Sequence, residues 1–155
     1  MKKITFILFA LIAGTTFAQN NATAVVSADV VSVISIAKNA DLNFGKVITG
    51  TAGTVAIATD GTRTGTADIV TSTTTTAAQF TITAEENYTY SIAIVATDLS
   101  GPGVDMAVVY DLSLPLSANK GNVDTNLLIG GELTVGATQA IGAYTGEVAV
   151  TVAYE

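Results

Sequence analysis

Apolar and polar residues alternate with a period of two along most of the chain, the spacing of strands with one buried face. Phe80, Ile82 and Ala84 fall on one side and Thr81 and Thr83 on the other. Tyr88, Tyr90, Ile92 and Ile94 repeat the pattern, as do Met106, Val108, Tyr110, Leu112 and Leu114. A last run holds Tyr144, Val148, Val150, Val152 and Tyr154. Between the runs stand turn-forming residues: Asp60-Gly61, Glu86-Asn87, Ser100 to Gly103, Lys120 to Asn122 and Gly130-Gly131. Strands are expected at 22–37 (broken near Ser32), 42–48, 53–59, 66–72, 78–84, 88–95, 105–114, 127–136 and 146–154. Many short strands at this spacing predict an all-β antiparallel sandwich. The richness in Thr, Val and Ile suits pleated, half-buried surfaces.

The first residues follow a different pattern. Lys2 and Lys3 precede a run from Ile4 to Ala13 that is apolar but for Thr5, and Thr16-Phe17-Ala18 supplies the small residues of a signal-peptidase site. A run of ten residues is half of the roughly 20 that a membrane span needs. Residues 1–18 therefore read as a secretory signal, with export to the periplasm and then to the cell surface or beyond. No cysteine stands near the cleavage point to carry a lipid anchor. Cleavage after Ala18 leaves 155 − 18 = 137 residues, residues 19–155, enough for one domain with a core of its own.

Composition narrows the chemistry. Thirteen acids face six bases, and two of the bases leave with the signal, so the exported chain carries 4 − 13 = −9. Such a chain repels phosphate backbones, which argues against nucleic acid as a partner. No membrane span is expected in the exported chain. With no His and no Cys, the commonest general base, the thiolate nucleophile and the favoured zinc ligands are missing. Glu85 with Glu86, or Asp98 with Asp105, are the carboxylate pairs that glycosidase chemistry would need. All lie in turn-like segments, where solvated charges are the plainer reading. No calcium-loop spacing is present, and no metal or cofactor is expected. Arg63, the chain's only arginine, follows the Asp60-Gly61 turn, where a local pair with Asp60 or Asp68 is expected over a ligand contact. Thr71 to Thr76, with Thr81 and Thr83, could form a hydroxyl-bearing face of the kind that binds ice or crystalline polysaccharide. No fixed threonine repeat supports that reading over ordinary solvent-facing strands.

Three stretches resemble a family of secreted bacterial domains known as domain of unknown function 4402. They are Leu42-Asn43-Phe44-Gly45, then Gly53 to Ile57 leading into Asp60-Gly61-Thr62-Arg63, and Ile141-Gly142-Ala143-Tyr144-Thr145-Gly146 with the strand that follows. Members of that family look similar to fimbrial subunits of the chaperone–usher route, particularly the spore-coat-protein-U-like pilins. Pilins of that class end in an alternating apolar strand with a penultimate tyrosine and a glycine fourteen residues from the end. Here Tyr154 is penultimate, Gly142 is fourteenth from the end, and Val148, Val150 and Val152 lie between.

The pilin resemblance implies an immunoglobulin-like sandwich short of one strand, completed by the N-terminal segment of another subunit. It also implies a periplasmic chaperone and an outer-membrane usher as partners, with the protein itself as the polymerising unit. Ala22, Ala24, Val26, Ala28 and Val30 alternate with Thr23, Val25, Ser27 and Asp29, the pattern of a donor strand within residues 19–31. Ala22 and Ala24 are small for such anchors, and the disulfide common in those pilins is absent. Residues 22–30 equally fit the domain's own first strand. The sequence thus points to a non-enzymatic fibre or matrix subunit, or to a self-contained secreted module that binds a ligand such as carbohydrate. The intact mass of exported protein is expected to lack residues 1–18; retention of the apolar run in exported material would refute the secretion reading.

Overall fold

The computed structural model describes residues 20–155. The expected signal sequence lies outside the described residues. The chain divides into two units at Val30/Val31. In the first, residues 20–30 form no strand, and Val25, Val26 and Val30 are almost fully exposed. Of the broken strand expected over 22–37, only the last part forms, within β1 (Ser35–Ala40).

The second unit holds nine strands, with no helix among the described residues. After β1 come β2 (Gly53–Ile57), β3 (Arg63–Gly65), β4 (Ala78–Thr83) and β5 (Thr89–Ala96). β6 (Val108–Leu112), β7 (Asn119–Lys120), β8 (Thr125–Val135) and β9 (Val148–Tyr154) complete the set. The larger sheet runs β1-β4-β8-β2-β3, with β6 on the other side of β8; the smaller runs β7-β5-β9. Every strand pair is antiparallel.

The alternation read from the sequence decides which face is buried. In β4, Ala78, Phe80 and Ile82 are buried while Gln79, Thr81 and Thr83 are not. The inward residues of β4 and β8 pack with Tyr90 and Ile92 of β5, so one cluster is shared between the two sheets. A second cluster joins Phe44, Val55, Ile57, Met106, Leu133 and Val135. On the outer face the amide of Asn39 donates to the Thr81 hydroxyl at 2.6 Å, and that hydroxyl donates to Asn126 at 3.1 Å. The strand threonines thus form a polar cross-strand ladder.

Four expectations change. Residues 42–48 are not a strand but a loop with single bridges at Asn43 and Val47. The Asn43 side chain accepts the Gly45 amide at 2.8 Å, and Gly45 takes a φ of 79°, which turns the chain out of the ladder. Residues 66–72 keep one bridge, at Ile69. The regular pairing ends earlier, at Gly65, where the amides of Thr66 and Ala67 both donate to the Thr54 carbonyl. The two-residue strand β7 was not foreseen, being too short to show a period. Gly130-Gly131 is not a turn but the middle of the longest strand, where β8 exchanges β4 for β2 along one edge. A side chain at Gly130 would put its Cβ 2.3 Å from the Ile57 carbonyl oxygen, so glycine is needed there for close backbone approach.

The Tyr90 hydroxyl is buried without a partner, and burial pushes its ionisation upward. Desolvation also pushes Tyr110 upward, with the nearby Asp98 charge adding to it, although its hydroxyl donates to the Thr97 carbonyl at 2.8 Å. Folding therefore favours the neutral phenols. Their contribution is fully present below about pH 10, the unfolded value, and is lost as pH rises through the folded values. Tyr90→Phe removes an unpartnered polar atom, so it is expected to match or exceed the parent's melting temperature at pH 7. It is also expected to lose less stability than the parent between pH 9 and 11, measured by thermal melts across that range.

Candidate functional site: an open groove between two strand edges

β9 pairs with β5 along its whole length, from Tyr90↔Tyr154 to Ala96↔Val148. Among the described residues no strand pairs with its other edge. β1 likewise pairs only with β4. The two free edges belong to different sheets on the same flank of the sandwich. Between the chain that follows β1 and the chain that leads into β9 lies a groove of about 1210 Å³. Its walls are residues 38–49 and 139–149, and its floor includes Phe80, Met106, Tyr110 and Leu133. The floor is core: Phe80, Met106 and Leu133 are buried.

The inward face of β9 is the second sign of incomplete packing. Val148, Val150, Val152 and Tyr154 all point toward the first cluster, yet each remains only half-buried. The corresponding residues of β4, in the middle of its sheet, are buried. Backbone on both sides makes the difference, and β9 has a neighbour on one side only.

The residues singled out in the sequence fall into three places. Gly142, Tyr144 and Val148 line the groove, while Val150, Val152 and Tyr154 continue the same strand face beyond it. Ala22, Ala24, Val26, Ala28 and Val30 belong to the other unit and to no strand. Leu42, Phe44, Leu99 and Met106 also line the groove; they were missed because they come from loops and bridges whose convergence no local pattern reveals.

Tyr144 lies across the Ser100–Gly103 turn. A Cβ on Gly101 would stand 2.6 Å from its ring, and one on Gly103 would stand 2.6 Å from its hydroxyl. Its hydroxyl donates to the Ala140 carbonyl at 3.0 Å. Gly142, with a φ of 155°, sits so close to Pro102 that a Cβ would lie 2.5 Å from the proline ring. Tyr154 closes the other end of the strand. Its hydroxyl accepts the Glu85 amide at 2.7 Å and donates to the Ser32 carbonyl at 3.1 Å. It thereby ties the chain before β1 to the β4–β5 turn.

Arg63 departs from expectation. It pairs with neither Asp60 nor Asp68 but donates to the backbone carbonyls of Phe44 (3.3 Å) and Val70 (2.8 Å) and to the Thr73 hydroxyl (3.2 Å). The guanidinium fork suits several fixed oxygens at once, which a flexible exposed carboxylate does not supply. Asp60 instead caps its own turn: the Thr62 amide donates to it at 2.8 Å and holds its carboxyl below the usual range. Gly45 is confined by the same arrangement, since a Cβ there would lie 2.7 Å from the guanidinium. Arg63 thus braces the loop that forms one wall of the groove.

The groove rim carries Lys38, paired with Asp41 at 2.7 Å, and the exposed side chains of Lys46 and Glu147. Of the carboxylates considered for catalysis, Glu85 accepts the Ser32 hydroxyl and Asp98 accepts the Val108 amide at 3.2 Å. Among the described residues no three acids gather into a metal-binding group, and no helix is long and apolar enough to cross a membrane.

The second unit is thus an all-β, antiparallel, two-sheet domain with an apolar groove open along one flank. The chain belongs to the family described as domain of unknown function (DUF4402), which it matches over residues 34–154. The matched region begins just before β1 and ends at Tyr154. No curated protein and no solved structure matches the chain.

The bracing role of Arg63 is tested by substitution. Arg63→Ala leaves the Phe44 carbonyl without its donor and the Val70 carbonyl with the Thr73 hydroxyl alone, and is expected to cost about 1–3 kcal/mol in chemical denaturation. Asp60→Ala and Asp68→Ala are each expected to cost less than Arg63→Ala. Equal losses for Arg63→Ala and one of the aspartate variants would restore the ion-pair reading.

Proposed function

We propose that this protein is a non-enzymatic structural subunit of a bacterial surface fibre or extracellular matrix, assembling by β-strand exchange. The observation that carries this reading is the groove: a floor of core residues between the chain that follows β1 and the chain that leads into β9, beside two strand edges that have no partner among the described residues. A single extended segment with alternating apolar side chains answers both needs. Its backbone continues a sheet edge, and its side chains on one face cover the floor. Residues 22–30 have that alternation and lie in no strand.

The hinge favours donation to a second copy over return to the same molecule. A tight hairpin between the segment and β1 would need positive φ near residues 31–34. The chain there reads Val30-Val31-Ser32-Val33-Ile34, mostly β-branched, with none of the Gly, Asn or Asp that such turns use. The reading extends to an immunoglobulin-like sandwich completed in trans. Export would place the subunit in the periplasm, where a chaperone would shield the groove until an outer-membrane usher passes the subunit on. An open apolar edge left uncovered is an aggregation hazard.

Deletion of residues 20–30 is expected to leave a domain that folds but no longer polymerises. A peptide copying residues 20–32 should bind that domain and stabilise it by about 2.7 kcal/mol at a concentration 100 times its dissociation constant. Val26→Asp in the peptide should abolish the effect, because a charge would enter an apolar groove without a partner. Size-exclusion chromatography and thermal melts read each outcome. A self-contained module predicts the opposite, a full-length protein that stays monomeric at high concentration and a deletion that unfolds it.

A further inference from the structure

A second cavity, of about 400 Å³, opens where the β4–β5 turn meets the β7–β8 turn. Two backbone hydrogen bonds hold the turns together. The Gly121 amide donates to the Tyr88 carbonyl at 2.7 Å, and the Ala84 amide donates to the Asn122 carbonyl at 3.2 Å. Gly121 lies so close to the Glu85 carbonyl that a side chain has no room there. Each turn also holds a residue in left-handed backbone, Asn87 with a φ of 68° and Asp124 with a φ of 58°. Asn and Asp are the residues, after glycine, that tolerate this conformation. The cavity is therefore framed by tied backbone, and it shares no residue with the groove.

No apolar side chain lines it; the walls are Glu86, Asn87, Lys120, Gly121, Asn122 and Thr125. Glu86 and Lys120 bring opposite charges, yet the only ion pair among the described residues is Lys38–Asp41, so neither neutralises the other. The Asn122 side-chain oxygen accepts the Val123 amide at 2.8 Å, which leaves the NH2 group of that side chain to donate elsewhere. Thr125 connects the cavity to the core. Tyr90, 1% exposed, carries the one buried side-chain polar atom without a partner among the described residues. The Thr125 hydroxyl stands near enough to ease the effect of burial on the Tyr90 hydroxyl, but it closes no hydrogen bond to it.

We propose that this cavity binds a neutral polyhydroxylated ligand, a single pyranose unit of a glycan. Each sugar hydroxyl both donates and accepts, which suits walls that mix a carboxylate, an ammonium, two amides and a hydroxyl. An apolar ligand would find nothing apolar to cover. An anion would face Glu86 on a chain of net charge −7, and a cation would face Lys120. The volume falls near the lower end of the ~300–1,000 Å³ of small-molecule sites, room for a sugar ring and not for an extended strand. A ligand hydroxyl that engages Thr125 carries the polar contact outward from Tyr90. Because the groove and this cavity have no residue in common, the inference does not depend on strand exchange.

The test uses the full chain and the methyl glycosides of glucose, galactose, mannose and N-acetylglucosamine. Saturation-transfer NMR observes the ligand's protons, so it reads monomer and polymer alike. At least one glycoside should bind with a dissociation constant in the millimolar range or tighter. Asn87→Gly removes a lining amide at a left-handed position that glycine adopts freely, and Thr125→Val removes a hydroxyl while keeping the branched shape. Each should weaken binding about three- to tenfold, the worth of one net hydrogen bond. Asn39→Ala, on the outer face of the larger sheet, should leave it unchanged. No signal from any of the four glycosides, or binding that survives both cavity substitutions, overturns the inference. Displacement of the glycoside by an equal concentration of sodium acetate or calcium chloride also overturns it, because the site would then belong to a charged ligand.

Discussion

Nearly everything unusual in this domain follows from β9 having one neighbour. A strand in the middle of a sheet has backbone on both sides and buries its inward side chains, as β4 does. β9 presents four alternating apolar side chains to the core and leaves each of them half-covered. Across the gap β1 has the same deficiency, and the groove beside them reaches down to core residues that include Phe80 and Leu133. Burial is worth roughly 25 cal/mol per Å² of apolar surface, so such a flank leaves stabilisation unrealised until another segment covers it.

The rest of the fold holds this flank open in a defined shape. Without cysteines, the domain depends on hydrogen bonds and packing to fix its loops. Arg63 gathers the carbonyls of Phe44 and Val70, so the wall that follows β1 cannot collapse onto the floor. Tyr144 and Gly142 clasp the Ser100–Gly103 turn and set the opposite wall. Tyr154 pins the chain before β1 to the β4–β5 turn and closes the far end. The stretches that carry the resemblance to the DUF4402 family are therefore largely the frame of one groove. That frame is what the fold positions, and it is the feature on which the proposed strand exchange rests.

Local pattern determined much of this. Period-two alternation placed β2, β4, β5, β6, β8 and β9 and decided which residues of β4 and β8 face inward, because the pleat leaves no other face for them. The Asp60-Gly61 turn and the antiparallel, two-sheet architecture were legible for the same reason. Tertiary structure decided what depends on distant partners. Residues 42–48 alternate well enough for a strand, but Asn43 and Gly45 turn the loop toward Arg63. Gly130-Gly131 has the composition of a turn, yet it serves close backbone approach inside β8. Arg63 passes over two nearby carboxylates for carbonyls brought to it by other segments. Above all, alternation reports that a strand has an apolar face but cannot count its neighbours. That β9 lacks one became visible only once the sheets were assembled.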